Sequence, residues 1–119
     1  MKQNIVREKS FQFAIRIVEL YKYLCGRKKE FVMSKQLLRS GTSVGANIRE
    51  GINAESKPDF IHKLAIAQKE CDETIYWLEL LKATKYLIEA EFNSIHSDAV
   101  EIMKLLTAIL KSSKLTIDN

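Results

Sequence analysis

At 119 residues the chain has room for one ordinary domain and not for two. It is 46% apolar and 29% charged, with one proline and four glycines, too few chain breakers for the turns of a β-sandwich or barrel; collagen-like and disordered classes are excluded on the same numbers. No apolar run approaches the roughly 18 residues that span a bilayer, and the opening MKQNIVREKS lacks an uncharged apolar stretch, so neither a membrane partner nor a secretory signal is expected.

The net charge of +4 is unevenly spread. Residues 1–57 hold 12 Lys and Arg against 5 Asp and Glu, whereas residues 58–119 hold 7 against 10. A basic first half suits nucleic acid or another acidic surface. It also suits the acidic half of a neighbouring molecule, or plain water. Cys25 and Cys71 make no metal or redox motif, which points to two buried thiols in a reduced, cytoplasmic setting.

Apolar spacing is helical almost throughout. The first predicted helix covers residues 4–25. Gly26 stands where a left-handed residue would end it, before the charged run 27–30. The second helix covers 31–53. The third covers 56–85, and its opening Ser56, Lys57, Pro58 and Asp59 read as a cap, a first-turn proline and an acid three residues after the cap. Residues 86–88 bridge to a fourth helix over 89–111, and 112–119 read as a frayed tail. Short connections force antiparallel neighbours. The predicted fold is therefore all-α, an antiparallel up-down-up-down four-helix bundle in a single domain, 1–119. The expected core lines run through Val6, Phe13, Ile17, Leu20 and Leu24, then Leu37, Gly41, Val44, Ile48 and Ile52. On the third helix they take Phe60, Leu64, Ala67, Cys71, Ile75 and Leu78, and on the fourth Phe92, Ile95, Ala99, Ile102, Leu106 and Ile109.

One core does not use up the apolar residues. On the first helix Phe11, Ala14, Ile15, Val18, Tyr21 and Cys25 fill a second arc beside the core line. The apolar arc is then roughly twice the ~100° that a surface helix buries. The third helix repeats the surplus with Ile66, Trp77 and Leu81. Such a surplus marks an interface; the alternative is a helix wedged between two partners of the same monomer. Phe11, Ile15, Val18 and Trp77 are the candidates for a homo-oligomer interface.

The second helix carries a polar flank, with Gln36, Ser43, Asn47 and Glu50 at i, i+7, i+11 and i+14. Polar groups beside a core are hydrogen-bonded or cost a few kcal/mol. A network to Glu70 or Glu73 on the third helix is expected, with a lined groove or pore as the alternative. Ser40, Gly41, Ser43, Gly45 and Ala46 keep the middle of this helix slim. Each mid-helix glycine costs ~1 kcal/mol against alanine, which close packing offsets. The outer face is basic at Lys35, Arg39 and Arg49. With Arg27, Lys28 and Lys29 these form one candidate phosphate-binding region. The aromatic residues mostly lie on apolar arcs, so no base-stacking platform is expected.

Catalytic patterns are missing. A di-iron bundle needs two Glu-x-x-His pairs; Asp59 before His62 is the nearest match, and His96 has no acid three residues earlier. No Gly-rich phosphate loop, His-Glu-x-x-His or Gly-x-Ser-x-Gly occurs. Cys25 ends a helix, where the dipole opposes a thiolate, so a dyad with His62 or His96 is not expected. The expectation is a non-enzyme with no cofactor and no metal.

The run QLLRSGTSVGANIREG over residues 36–51 resembles the helix-2 motif of the bacterial four-helix-bundle family, also called the 23S rRNA intervening-sequence protein or S23-type ribosomal protein family. KECDETIYWLELL over 69–81 is similar to its helix-3 motif, and FAIRIV over 13–18 and KPDF over 57–60 fit as well. The resemblance covers roughly residues 5–113. The chain departs from it at Leu38, Ser40, Gly41 and Gly45, where many members have Arg, Ala, Ala and Pro. The resemblance implies a four-helix bundle that assembles as a ring, a homopentamer. Some members are encoded inside rRNA intervening sequences. Related accessory proteins of diversity-generating retroelements share the bundle and bind nucleic acid or a reverse transcriptase.

Two functional classes follow. One is an oligomeric accessory protein that holds structured RNA with Arg27, Lys28, Lys29, Lys35, Arg39 and Arg49. The other is a protein–protein scaffold with an acidic or apolar partner and no nucleic-acid role.

Overall fold

Helix α1 spans Lys2–Gly26, α2 Met33–Ile52, α3 Lys57–Ala83 and α4 Glu89–Asp118; the computed structural model describes residues 2–118 and holds no strand among them. The chain is the all-α four-helix bundle that its apolar periodicity predicts. Each helix packs on its chain neighbours and α1 also packs on α4, so α1 and α3 occupy opposite corners, as do α2 and α4. The bundle measures 51 × 22 × 20 Å. The α1–α2 and α3–α4 connections lie at one end, and the α2–α3 connection at the other.

Four features of the helix ends differ most from the sequence reading. Gly26 is not left-handed; among the described residues the left-handed ones are Lys29, at φ 54°, and Lys85, at φ 71°. The chain leaves α1 through bonds from the Arg27 and Lys28 N–H groups to the Tyr23 carbonyl, and turns only at Lys29. Helix α2 begins at Met33 and not at residue 31, because the Glu30 carboxylate takes its first N–H groups. Helix α3 stops at Ala83, short of 85, where the Lys85 turn returns the Tyr86 N–H to the Leu81 carbonyl at 2.9 Å. Helix α4 continues past 111 to Asp118, so the expected frayed tail is helical over 112–118, and Asn119 lies outside the described residues. At the start of α3 the Ser56 hydroxyl accepts the Asp59 N–H at 3.2 Å, with Pro58 in the first turn.

The core fills the axis with large aliphatic and aromatic side chains, among them Phe13, Ile17, Leu37, Ile48, Leu64, Leu78, Ile102 and Leu106, each below 2% exposure. Leu20, Ile52, Phe60 and Ile75, expected on the core lines, are partly buried at its edge. Leu81, read as surplus on α3, is fully buried within the monomer. The slim middle of α2 has the expected use. A Cβ added to Gly41 would lie 2.8 Å from two carbons of Ile17, and one on Gly45 would lie 3.3 Å from the Ser10 carbonyl. Helices α1 and α2 therefore pack tightly at these two positions, where a Cβ would force Ile17 aside or press on the Ser10 backbone.

Candidate nucleic-acid interface

The α1–α2 connection is built around Glu30, a charged residue that is only 6% exposed. Its Oε1 accepts the N–H groups of Val32 at 3.0 Å and Met33 at 2.7 Å, and its Oε2 accepts that of Ser34 at 2.9 Å. The Ser34 hydroxyl donates back to the Glu30 carbonyl at 2.9 Å. Burial pushes the Glu30 carboxyl up, but the bonds from Ser34, Met33 and Val32 outweigh it and hold the group below the ordinary carboxylate range. Two of the orphan N–H groups at the start of α2, those of Met33 and Ser34, are thus satisfied from within the chain.

With Glu30 turned inward, its neighbours face water. Arg27, Lys28, Lys29 and Lys35 are all exposed. None of the four makes an ion pair among the described residues. The Lys28 ammonium stands 5.9 Å from the centre of the Tyr23 ring. These four cations form one cluster at one end of the bundle.

The other two predicted cations do not join it. Arg39 reaches across to α3, donating to Glu70 at 2.7 Å and to Glu73. The bonds to Glu70 and Glu73 raise its pKa further above the ordinary value. Two carboxylates already neutralise its charge. Arg49 lies 14 positions beyond Lys35 on α2, roughly 20 Å at 1.5 Å per residue, and its guanidinium sits 5.9 Å from the Phe11 ring.

The predicted polar network is rearranged in the same way. Ser43 donates to the Arg39 carbonyl at 2.6 Å, and Asn47 donates to the Ser43 carbonyl at 2.9 Å, both within α2. Glu50 pairs with Lys63 at 3.0 Å, and Gln36 is exposed. The bridge to Glu70 and Glu73 is made by Arg39. Glu73 also accepts the Trp77 indole N–H at 3.0 Å. The Trp77 and Arg39 bonds hold its carboxyl below the ordinary range against the opposing effect of burial. A second link between α2 and α3 has no counterpart in the sequence reading. The Thr74 hydroxyl, fully buried, lies 3.0 Å from the buried Ser40 hydroxyl and 2.7 Å from the Glu70 carbonyl.

The apolar surplus is distributed over several faces. Phe11, 49% exposed, borders a groove of about 400 Å³ between α1 and α2, floored by Ala14, Thr42, Gly45 and Ala46. Ile15, 44% exposed, opens onto a different groove of about 580 Å³ between α1 and α4, beside Leu20, Tyr23 and Leu87. Val18 is partly buried on α1. Trp77 is partly buried on α3, across the bundle, with its ring edge-on to Tyr76 at 5.0 Å.

The family model for the 23S rRNA-intervening sequence protein matches residues 2–108. The chain belongs to that family. It is also similar to the crystal structure of a protein of unknown function from the S23 ribosomal protein family of Bacteroides thetaiotaomicron, with 59% identity over 93% of this chain and 99% of that one and a TM-score of 0.92. A comparison with curated proteins gave no match. Within this family setting, the feature that sequence reasoning misses is Glu30. In sequence it reads with Arg27, Lys28 and Lys29 as one solvated run. Its place four residues before Ser34, at the mouth of an apolar helix, is the signal for a cap.

Proposed function

We propose that this member of the 23S rRNA-intervening sequence protein family is a non-enzymatic, cytoplasmic, oligomeric accessory protein that binds structured RNA through Arg27, Lys28, Lys29 and Lys35. The observation that carries the reading is the contrast in pairing. Arg16, Arg39 and Lys63 spend their charge on carboxylates of neighbouring helices, whereas Arg27, Lys28 and Lys29 in the α1–α2 connection and Lys35 in the first turn of α2 stand together with none among the described residues. Unpaired cations held at one rigid end release counterions from phosphates on binding. Arg39 and Arg49 have no part in this site.

Self-association accounts for the exposed apolar residues on opposite sides of the bundle. An interface between two different faces is heterologous and generates a closed ring when the rotation closes. The family resemblance sets the proposed number at five. A ring repeats the basic end around one rim, so weak single-site binding becomes tight.

The test is fluorescence anisotropy with structured RNA over a salt series. The variant carries Arg27→Ser, Lys28→Ser and Lys29→Asn together, asparagine being tolerated in the left-handed turn at 29. Log affinity is expected to fall linearly with log salt. The variant flattens the slope by about 0.7–0.9 for each phosphate it no longer neutralises, with the oligomer unchanged in sedimentation equilibrium. No RNA binding at low salt would leave the scaffold reading in its place. A monomer at tens of micromolar removes the ring.

A further inference from the structure

The fold exposes one aromatic ring that the sequence reading assigns to an apolar helix. In sequence Phe31 reads as the first residue of an apolar helix. The structure leaves it outside α2, 53% exposed, with Val32 beside it at 76%. Neither belongs to the hydrophobic core. They stand directly after Glu30, whose three backbone bonds and the Ser34 bond fix the connection. A half-exposed phenyl ring thus stands in the chain between Lys29 and Lys35, at the end of the bundle that carries four cations with no ion-pair partners among the described residues.

We propose that Phe31 is a stacking platform for an unpaired RNA base whose flanking phosphates are held by Arg27, Lys28, Lys29 and Lys35. This inference rests on the RNA reading above and narrows its substrate class. The bases of an A-form duplex stay stacked inside it, so a duplex offers such a site phosphates and 2′-hydroxyls but no free face. A loop, bulge or single strand offers both phosphates and a base. Stacking on one ring is tolerant of base identity, so the site selects unpaired geometry and not sequence. The Glu30 bonds fix the backbone beside the ring beforehand, which lowers the ordering cost of binding. The surroundings favour RNA over an anionic membrane: an interfacial segment presents a whole apolar helix face to the acyl boundary, whereas this connection presents one ring and one valine.

The experiment compares an RNA hairpin having an open loop with a blunt duplex of the same stem, using the full chain at low salt. The proteins are the natural chain, Phe31→Ala and Phe31→Tyr. Phe31 is half exposed and outside the core, so all three fold. The natural chain prefers the hairpin. Phe31→Ala loses about tenfold in affinity for the hairpin and little for the duplex, and Phe31→Tyr retains the preference. Equal loss on both RNAs, or no loss on either, overturns the platform but leaves phosphate binding standing if the triple basic variant still flattens the salt slope. Binding to phosphatidylglycerol vesicles that needs Phe31, with no hairpin preference, also overturns it. No binding of either RNA by the natural chain removes the RNA reading and the platform together.

Discussion

Glu30 and Ser34 bond each other twice: the Ser34 N–H donates to the Glu30 carboxylate and the Ser34 hydroxyl to the Glu30 carbonyl, each at 2.9 Å. These two bonds, both donated by Ser34, end the loop and start α2. Replacing Glu30 by Gln puts an N–H₂ group where one acceptor oxygen stood, so at least one α2 N–H loses its partner. Glu30→Gln is expected to destabilise the fold by about 1–2 kcal/mol in urea denaturation. The pH dependence has a defined sign. The folded carboxyl titrates below its unfolded value, so its contribution is full above the ordinary carboxylate range and is lost as pH falls through the folded pKa. The gap between the natural chain and Glu30→Gln should therefore narrow in acid.

Two glycines predict opposite outcomes for the same change. Nothing lies within 4 Å of a Cβ added to Gly26, whose φ is not positive, so Gly26→Ala is expected to stabilise by about 0.4–1 kcal/mol. A Cβ on Gly41 meets the branched carbons of fully buried Ile17 at 2.8 Å, so Gly41→Ala is expected to cost about 1–3 kcal/mol. Thermal melts of the two variants check the pair.

Trp77 is the single tryptophan and reports on Glu73 directly. Its emission should titrate as Glu73 protonates, with a midpoint below the ordinary carboxylate range. Arg39→Gln moves that midpoint upward. Because the Arg39 side chain is 49% exposed, the same change costs less than about 1 kcal/mol of stability. An unmoved midpoint would show that Arg39 does not hold Glu73.

The two thiols differ in reactivity. Burial, with Asp72 nearby, pushes the Cys71 thiol up to about 12, while Cys25 is only partly buried. In the native protein a thiol reagent at mild alkaline pH should label Cys25 and spare Cys71, and label both once the chain is unfolded. Equal labelling of the native protein contradicts the buried position of Cys71.

The fold is legible in the sequence because the apolar spacing of Phe13, Ile17, Val44, Ile48, Cys71 and Leu78 repeats at the helical period, and each of these is buried. The site is less legible because charge on a sequence carries no partner. Arg39 and Lys35 read alike, four positions apart on one helix, yet only Arg39 has two carboxylates facing it from α3. Glu30 reads as a loop charge, since its role depends on the chain turning left-handed at Lys29. Phe31 reads as the start of an apolar helix, since that same turn decides which side of the loop it takes.

Lysine footprinting by mass spectrometry, with and without saturating structured RNA, tests whether the α1–α2 end holds the nucleic acid. Lys28, Lys29 and Lys35 lie at that end, while exposed Lys57 lies at the other, at the start of α3. Acetylation of Lys28, Lys29 and Lys35 is expected to fall when RNA is present while Lys57 stays fully reactive. Protection of Lys57 in place of the other three, or unchanged labelling of all four at saturation, contradicts the assignment of RNA binding to this end of the bundle.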